Sequence, residues 1–165
     1  SVGITKAHDK SELIEGIKIA AMHDKKIIVE ENINGRELEC SVMGNGNEIY
    51  AATVGEVVAA AEFYDYDAKY NNEDSKTLIP AEISAEKIEE IRKEAIKVFK
   101  AVDGSGLARI DFFMENETGK IIFNELNTLP GFTPISMYPM LWQSAGKPIG
   151  TLLDELIGLA LSKNI

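Results

Sequence analysis

Two strand-like runs joined by a short turn place the strongest constraint on the fold. The runs are Leu107–Met114 (LARIDFFM) and Lys120–Leu126 (KIIFNEL). The turn between them is Glu115–Gly119, and its last residue is a glycine, which adopts left-handed backbone conformations at little cost. The pattern predicts an antiparallel hairpin.

The register of this hairpin decides which side chains share a face. If the turn is centred on Thr118, Asp111 faces Glu125, and Arg109 faces Asn127. All four side chains then lie on one face of the sheet, because side chains alternate along a strand. A register slip of one residue would destroy the arrangement. The opposite face is expected to be filled by apolar side chains: Ile110, Phe112, Ile121 and Phe123.

The predicted polar face favours a metal site. Two directly opposed carboxylates repel each other unless positive charge lies between them. Mg²⁺ accepts such oxygen ligands and shares them with substrate phosphates. Arg109 beside it would stabilise charge on a transferring phosphoryl group. The alternative is a solvent-facing sheet with ordinary salt bridges.

The loop after the second run, NTLPGFTPIS, adds possible contacts to the same site. Gly131 permits a close backbone approach, and its amide would be an oxyanion donor beside a metal. Ser136 has two readings: it binds a substrate carboxylate, or it caps the next helix.

The remaining periodicities predict the other elements. Helices are expected over Asp9–His23, Ser84–Val102 and Thr151–Ser162, strands over Lys26–Glu31 and Ala51–Val58, and a hairpin over Arg36–Tyr50 around Gly44–Asn47. In the last helix the expected inward residues are Leu152, Leu153, Leu156, Ile157 and Ala160. The segment Ala59–Thr77 lacks clean periodicity and is expected to be a long functional loop.

Composition excludes several classes of function. The 27 acidic residues against 17 basic ones give a formal charge of −10, which argues against nucleic-acid binding. Cys40 is the single cysteine, so no intrachain disulfide forms. It is expected to be a buried packing residue and not a reactive thiol. The single cysteine fits a reducing compartment, and no membrane-length apolar run or signal peptide is recognised, so a cytoplasmic protein is expected. The start, SVGITKAHDK, lacks an initiator Met and suggests a fragment.

Several segments together resemble one family. ARIDFF followed by NELNTLPGFT resembles the magnesium motif of the D-alanine–D-alanine ligases in the ATP-grasp superfamily. SVGI, VEENINGRELECSVMGN and EFYDYDAKY resemble three further family segments in the same order. The resemblance implies an α+β fold, the C-terminal ATP-grasp subdomain, with a mainly antiparallel sheet and flanking helices, expected on one side. It also implies a central-subdomain remnant over residues 1–30, a C-terminal subdomain over 31–165, and an active-site loop over 59–77.

The resemblance assigns roles at the metal and at the reacting groups. Asp111, Glu125 and Asn127 match ligands of two Mg²⁺ (or Mn²⁺) ions that bridge the phosphates of ATP. Arg109 matches the arginine that stabilises the acyl-phosphate transition state and the tetrahedral intermediate. Gly131 matches a backbone donor to that intermediate.

Further roles follow for substrate and nucleotide contacts. Tyr70 matches a tyrosine that positions the first D-alanine, while Ser136 and Met137 match the site for the carboxylate of the second. Five residues match the family's contacts to the nucleotide: Lys69 contacts phosphate, and Glu30, Glu31, Ile33 and Glu37 contact adenine and ribose. Glu31 stands where the family commonly has lysine, so it is either a backbone contact to adenine or an ordinary surface charge.

The implied reaction makes D-alanyl-D-alanine for peptidoglycan from ATP and two D-alanine molecules. The resemblance also implies that the N-terminal half of the same protein is missing, that this chain is inactive alone, and that the parent is a homodimer without nucleic-acid or membrane partners. Two alternatives remain. One is a D-alanine–D-serine or D-alanine–D-lactate ligase, and the other is a nucleotide-binding ATP-grasp module that does not catalyse.

Overall fold

The computed structural model describes residues 2–58 and 76–162. These residues form two compact units, 2–33 and 34–58 with 76–162. The predicted boundary between residues 30 and 31 stays a prediction. In the described parts of the chain, no helix is long and apolar enough to cross a membrane.

The first unit contains one helix, α1, over Lys10–Ala21. The Asp9 carboxylate caps it by accepting hydrogen bonds from the backbone N–H groups of Ser11 and Glu12, at 2.8 and 2.9 Å. The strand predicted over Lys26–Glu31 is wrong: the segment has no strand partner within the described residues. Ile28 and Val29 are exposed there. The apolar run alone does not make a strand, because a strand also needs hydrogen bonds to a neighbouring strand.

The second unit is built on a five-stranded antiparallel sheet in the order β3-β2-β1-β4-β5. Its strands are β1 (Gly35–Asn45), β2 (Glu48–Val58), β3 (Lys76–Leu78), β4 (Gly106–Glu115) and β5 (Ile121–Asn127). The predicted hairpin after Arg36 is confirmed, with a turn at Gly46, whose φ is +56°. Lys76 and Thr77, predicted to end the long loop, belong to β3 instead.

Helices cover both faces of this sheet. They are α2 (Ala85–Ala101), α3 (Met137–Ser144) and α4 (Ile149–Ser162). On one face α2 buries Ile91, Ala95 and Phe99 against alternate residues of the strands, and Ile88 and Val98 pack beside them. On the other face α3 and α4 bury Tyr138, Leu141, Trp142 and Leu152 against Met43 and Ala52. The α+β fold class is therefore confirmed, but the helices do not lie on one side.

The end of the chain differs from its prediction in two ways. The helix that Ser136 was expected to cap in one of its two readings is present as α3, but its span over Met137–Ser144 was not predicted. Pro139 lies in its first turn, where a missing N–H is tolerated. In α4, Leu152 is buried and Leu156 packs beside it, as predicted. Leu153, Ile157 and Ala160 are exposed within the described residues, since α4 contacts its neighbours through a narrower stripe.

A β-bulge in β5 places the polar residues on the predicted face. Near the turn Phe112 pairs with Phe123, a register one residue away from a turn centred on Thr118. Beyond Phe112 the register shifts, and Asp111 pairs with Glu125. Strict alternation would put Phe123 and Glu125 on the same face. An apolar and a charged side chain would then compete for one environment. The extra residue of the bulge places them on different faces and turns Glu125 away from the apolar core.

The buried thiol of Cys40 gives a simple test of this core. Cys40 lies in β1 with no exposed surface, and burial raises the pKa of its thiol to about 12. A thiolate is the reactive form, so at pH 8 the native protein is expected to react with a thiol reagent at least about a hundredfold more slowly than the unfolded chain. Labelling kinetics with and without denaturant check this. Equal rates in the two states would contradict the burial of Cys40.

Candidate active site

Six side chains form two rows across three neighbouring strands. In the first row Glu39 of β1 pairs with Asp111 of β4, which pairs with Glu125 of β5. In the second row Ser41, Arg109 and Asn127 occupy the corresponding positions. The predicted pairings of Asp111 with Glu125 and of Arg109 with Asn127 are confirmed. The face thus carries three carboxylates and one guanidinium.

Arg109 and Asp111 form the central contact of this polar face. The Nε and Nη2 atoms of Arg109 donate to the two carboxylate oxygens of Asp111 at 2.8 and 2.7 Å. Paired hydrogen bonds of this kind fix both position and orientation. Only 2% of Asp111 is exposed, so the contact is shielded from water.

The charge environment keeps Arg109 protonated. Burial by itself lowers the pKa of the guanidinium. The hydrogen bonds to Asp111 and the charges of Glu39, Asp111 and Glu125 outweigh that effect, and the net shift of the Arg109 pKa is upward. Arg109 is therefore a permanent positive charge in a low-dielectric setting, where it interacts strongly with developing negative charge.

The donor set of Asp111, Glu125 and Asn127 fits a hard cation such as Mg²⁺. The Asn127 amide nitrogen lies 3.1 Å from Oδ2 of Asp111 and 3.1 Å from Oε1 of Glu125, so the three side chains converge on one point. A half-turn of the amide presents its oxygen at the same place. No group of three or more His, Cys, Asp or Glu residues in 2–58 and 76–162 is arranged to hold a metal. Mg²⁺ commonly uses one or two carboxylates and takes its other ligands from phosphate and water.

The loop after β5 brings Gly131 close to Ser136. A Cβ atom at Gly131 would lie 2.8 Å from Oγ of Ser136, so a larger side chain would displace that hydroxyl. Ser136 precedes α3 at its N-cap but makes no side-chain cap there. Its Oγ instead accepts from the backbone N–H of Thr133 at 3.0 Å. Met137, the first residue of α3, is buried.

The predicted nucleotide and substrate contacts are distributed over different parts of the chain. Glu37 lies in β1, two residues before Glu39, and is half-buried. Glu30, Glu31 and Ile33 belong to the first unit, where both glutamates are exposed. Tyr70 and Lys69 lie outside the described residues.

Glu39 and Ser41 are the members of this face that sequence reasoning missed, and Glu39 is the charged one. Its Oε2 atom lies 3.0 Å from Nε of Arg109, and 1% of the residue is exposed. The signal in the sequence was the alternation in β1, where Glu39 stands between the two core residues Leu38 and Cys40. A charged residue at that position of a central strand indicates a second, polar face.

The comparisons with known proteins agree on one family. Residues 1–158 match the family described as D-ala D-ala ligase C-terminus. A D-alanine–D-alanine ligase from Acetivibrio thermocellus is 55% identical over 163 residues, which are 99% of this chain and 43% of that protein. The chain therefore spans less than half the length of this relative.

Two solved structures extend the likeness to the fold. VanG, a D-Ala:D-Ser ligase from Enterococcus faecalis, superposes with a TM-score of 0.85 at 43% identity, over 95% of this chain and 45% of that one. The D-alanine–D-alanine ligase of Bacillus anthracis in complex with ATP superposes with a TM-score of 0.77 at 32% identity, over 94% of this chain and 49% of that one.

Proposed function

The chain belongs to the family of D-alanine–D-alanine ligase C-terminal domains, and on that premise we propose that it forms the metal- and phosphate-binding part of an ATP-dependent D-alanine–D-alanine ligase. The observation that carries the proposal is the Arg109–Asp111 pair beside Glu125 and Asn127. A structural sheet face gains little from three neighbouring carboxylates with one cation. A site for two phosphate-bound Mg²⁺ (or Mn²⁺) ions would use Asp111, Glu125 and Asn127 as ligands and Arg109 as a cation beside the phosphates.

In the proposed reaction, the carboxylate of the first D-alanine attacks the γ-phosphorus of ATP and releases ADP. The amine of the second D-alanine then attacks the acyl phosphate, forms the peptide bond, and releases phosphate and a proton. Bound Mg²⁺ supplies neutralising charge at the phosphates. Arg109 stabilises the negative charge that develops in both steps, because its guanidinium is held in place before the reaction.

The other assigned residues complete the proposal. Asp111, Glu125 and Asn127 supply the oxygen ligands to the metal, and the Gly131 N–H donates to the tetrahedral intermediate. The substrate contacts are assigned to Tyr70, Ser136 and Met137. The nucleotide contacts are assigned to Lys69, Glu30, Glu31, Ile33 and Glu37. The remaining ligase chain would orient the first D-alanine and hold the phosphates. The proposal includes a cytoplasmic role in peptidoglycan synthesis, a homodimeric parent, and residues 1–30 as part of the central subdomain.

A chimeric ligase tests the function. This chain would replace the matching part of the Acetivibrio thermocellus ligase, which it resembles at 55% identity. We expect D-alanine-dependent phosphate release by the chimera within about tenfold of the parent ligase, since conservative replacement of well-packed parts costs little. The 165-residue chain alone is expected to give none. A folded chimera without this activity, or turnover by the chain alone, would contradict the proposal.

A D-alanine–D-serine ligase is the second candidate, because VanG is among the structures with high similarity. The sequence YDYDAKY around Tyr70 is the D-alanine form of the loop by family resemblance, and this segment lies outside the described residues. Competition between D-alanine, D-serine and D-lactate in the chimera decides between the candidates. Preferential formation of D-alanyl-D-serine would replace the first proposal by the second.

A further inference from the structure

Glu39 is a buried carboxylate without a place in the proposed chemistry. It lies in the central strand β1, with Asp111 opposite it in β4 and Gly55 opposite it in β2. A Cβ atom at Gly55 would lie 2.6 Å from Cε of Met137, so α3 covers the sheet at this position. Burying a carboxylate costs several kcal/mol unless a positive partner compensates for it.

A positive partner of Glu39 among the described residues is the guanidinium that Asp111 also holds. Oε2 of Glu39 lies 3.0 Å from Nε of Arg109, while the same Nε donates to Oδ1 of Asp111 at 2.8 Å. One guanidinium therefore stands between two facing carboxylates. This position offsets the repulsion that directly opposed carboxylates would otherwise suffer.

The contact of Arg109 with both Glu39 and Asp111 becomes important if Asp111 also binds a metal ion. Both oxygens of Asp111 accept hydrogen bonds from Arg109, and Oδ2 also accepts one from Asn127. A divalent cation on Asp111 would compete with Arg109 for these oxygens and would repel the guanidinium. Without Glu39, the anionic neighbours of Arg109 on this face would be Asp111 and Glu125, which are both metal ligands in the proposal. Arg109 would then either block the cation or leave the site.

We propose that Glu39 is a positioning residue that holds the Arg109 guanidinium in the active site while Asp111 binds the metal. The inference rests on the proposed function, because it takes Asp111 as a metal ligand. Glu39 itself touches neither metal nor substrate in this account. It acts through Arg109, as the anion that stays with the guanidinium throughout the reaction.

A matched control exists on the opposite face of the sheet. Glu56 of β2 is also buried, at 6% exposure, and accepts from Nε of Arg36 at 2.6 Å. A Glu56→Gln variant removes a buried carboxylate from an arginine pair outside the active site. A general loss of stability is expected in both variants, whereas effects on the active site are expected from Glu39→Gln alone.

The first test uses the 165-residue chain without metal. NMR follows hydrogen exchange at Nε of Arg109, which is expected to be at least about tenfold faster in Glu39→Gln than in the original chain, because the guanidinium loses one of the carboxylates that hold it in place. Glu56→Gln should leave it unchanged, and Glu39→Asp, which keeps the charge, should lie between. Unchanged exchange in Glu39→Gln would overturn the proposal. If Glu39→Gln does not fold, the Glu39→Asp variant is the test. An exchange rate at Nε of Arg109 equal to that of the original chain would then contradict the proposal.

The second test uses the chimeric ligase with Mn²⁺ and ATP as probes. Glu39→Gln is expected to weaken Mn²⁺–ATP binding about tenfold and to lower kcat with little change in KM for D-alanine, since the charge near the metal falls and Arg109 is misplaced. In an Arg109→Met background the same substitution should lower kcat less than twofold further. Equal losses in the two backgrounds would overturn the proposal. A chimera that never binds Mn²⁺–ATP would refute the proposed function, while the exchange test still decides the Glu39–Arg109 contact.

Discussion

Replacing Arg109 by methionine in the chimeric ligase is expected to lower kcat by about a thousandfold, the scale at which an arginine stabilises phosphoryl transfer. Methionine keeps much of the side-chain volume and removes the positive charge and all five N–H donors. Because Arg109 is held by Glu39 as well as by Asp111, its charge is expected to stay in place when Asp111 binds the metal. The loss should therefore appear in kcat, with KM for ATP changed far less.

A control is needed because Arg109→Met also leaves Glu39 and Asp111 without their shared cation. Loss of one partner from a buried ion pair commonly costs about 3–5 kcal/mol of stability. Arg36→Met removes the comparable guanidinium from Glu56 on the other face and should change kcat less than about threefold. Urea unfolding of each variant verifies that the assays contain folded protein. Equal losses of kcat in the two variants would show that Arg109 has no special role.

Asp111→Asn is expected to weaken metal-dependent ATP binding by about a hundredfold, and Glu125→Gln by about tenfold. Both substitutions keep the shape and remove one negative charge from the ligand set of a hard cation. The effect is larger at Asp111 because it lies between Glu125 and Glu39 and is almost fully buried, where electrostatic interactions are stronger. Titration with ATP in Mn²⁺, followed by the electron paramagnetic resonance of free Mn²⁺, measures the affinity.

The same variants separate the ligase from a non-catalytic module. In the chimera, kcat should fall together with metal-dependent affinity, since the metal supports both nucleotide binding and phosphoryl transfer. Glu48→Gln, at an exposed position at the start of β2, should leave both unchanged. Full activity in Asp111→Asn and Glu125→Gln would show that this face does not bind the catalytic metal. It would favour the non-catalytic nucleotide-binding module over the ligase.

The hairpin was predictable because alternation and turn length are local properties of the sequence. The predicted pairing of Asp111 with Glu125 is correct, although the hairpin does not keep one register along its length. A symmetric turn centred on Thr118 does not describe the register near Phe112, and the correct pairing is reached through a β-bulge in β5. A bulge adds one residue to one strand and so changes which of its side chains point to each face of the sheet. The need for a bulge in β5 becomes visible only when its pairing with β4 is known.

Other features depend on long-range packing and were not predictable from local patterns. Glu39 joins the site because β1 lies beside β4, although the two strands are separated by α2 in sequence. The exposure of Ile157 depends on how α4 meets α3, which no periodicity in α4 reveals. The run around Ile28 has strand composition but no strand neighbour in the described residues. A strand requires a partner as well as a pattern.

The face bearing Asp111, Glu125 and Asn127 is proposed to bind a divalent cation together with ATP. A crystal structure of the chimeric ligase with Mn²⁺ and ATP, recorded at a wavelength where manganese scatters anomalously, tests this proposal most directly. We expect an anomalous peak within ligand-bond distance, about 2.0–2.3 Å, of carboxylate oxygens from both Asp111 and Glu125. We also expect Arg109 to remain in contact with Glu39. Bound ATP with manganese more than about 4 Å from both carboxylates would contradict the proposal.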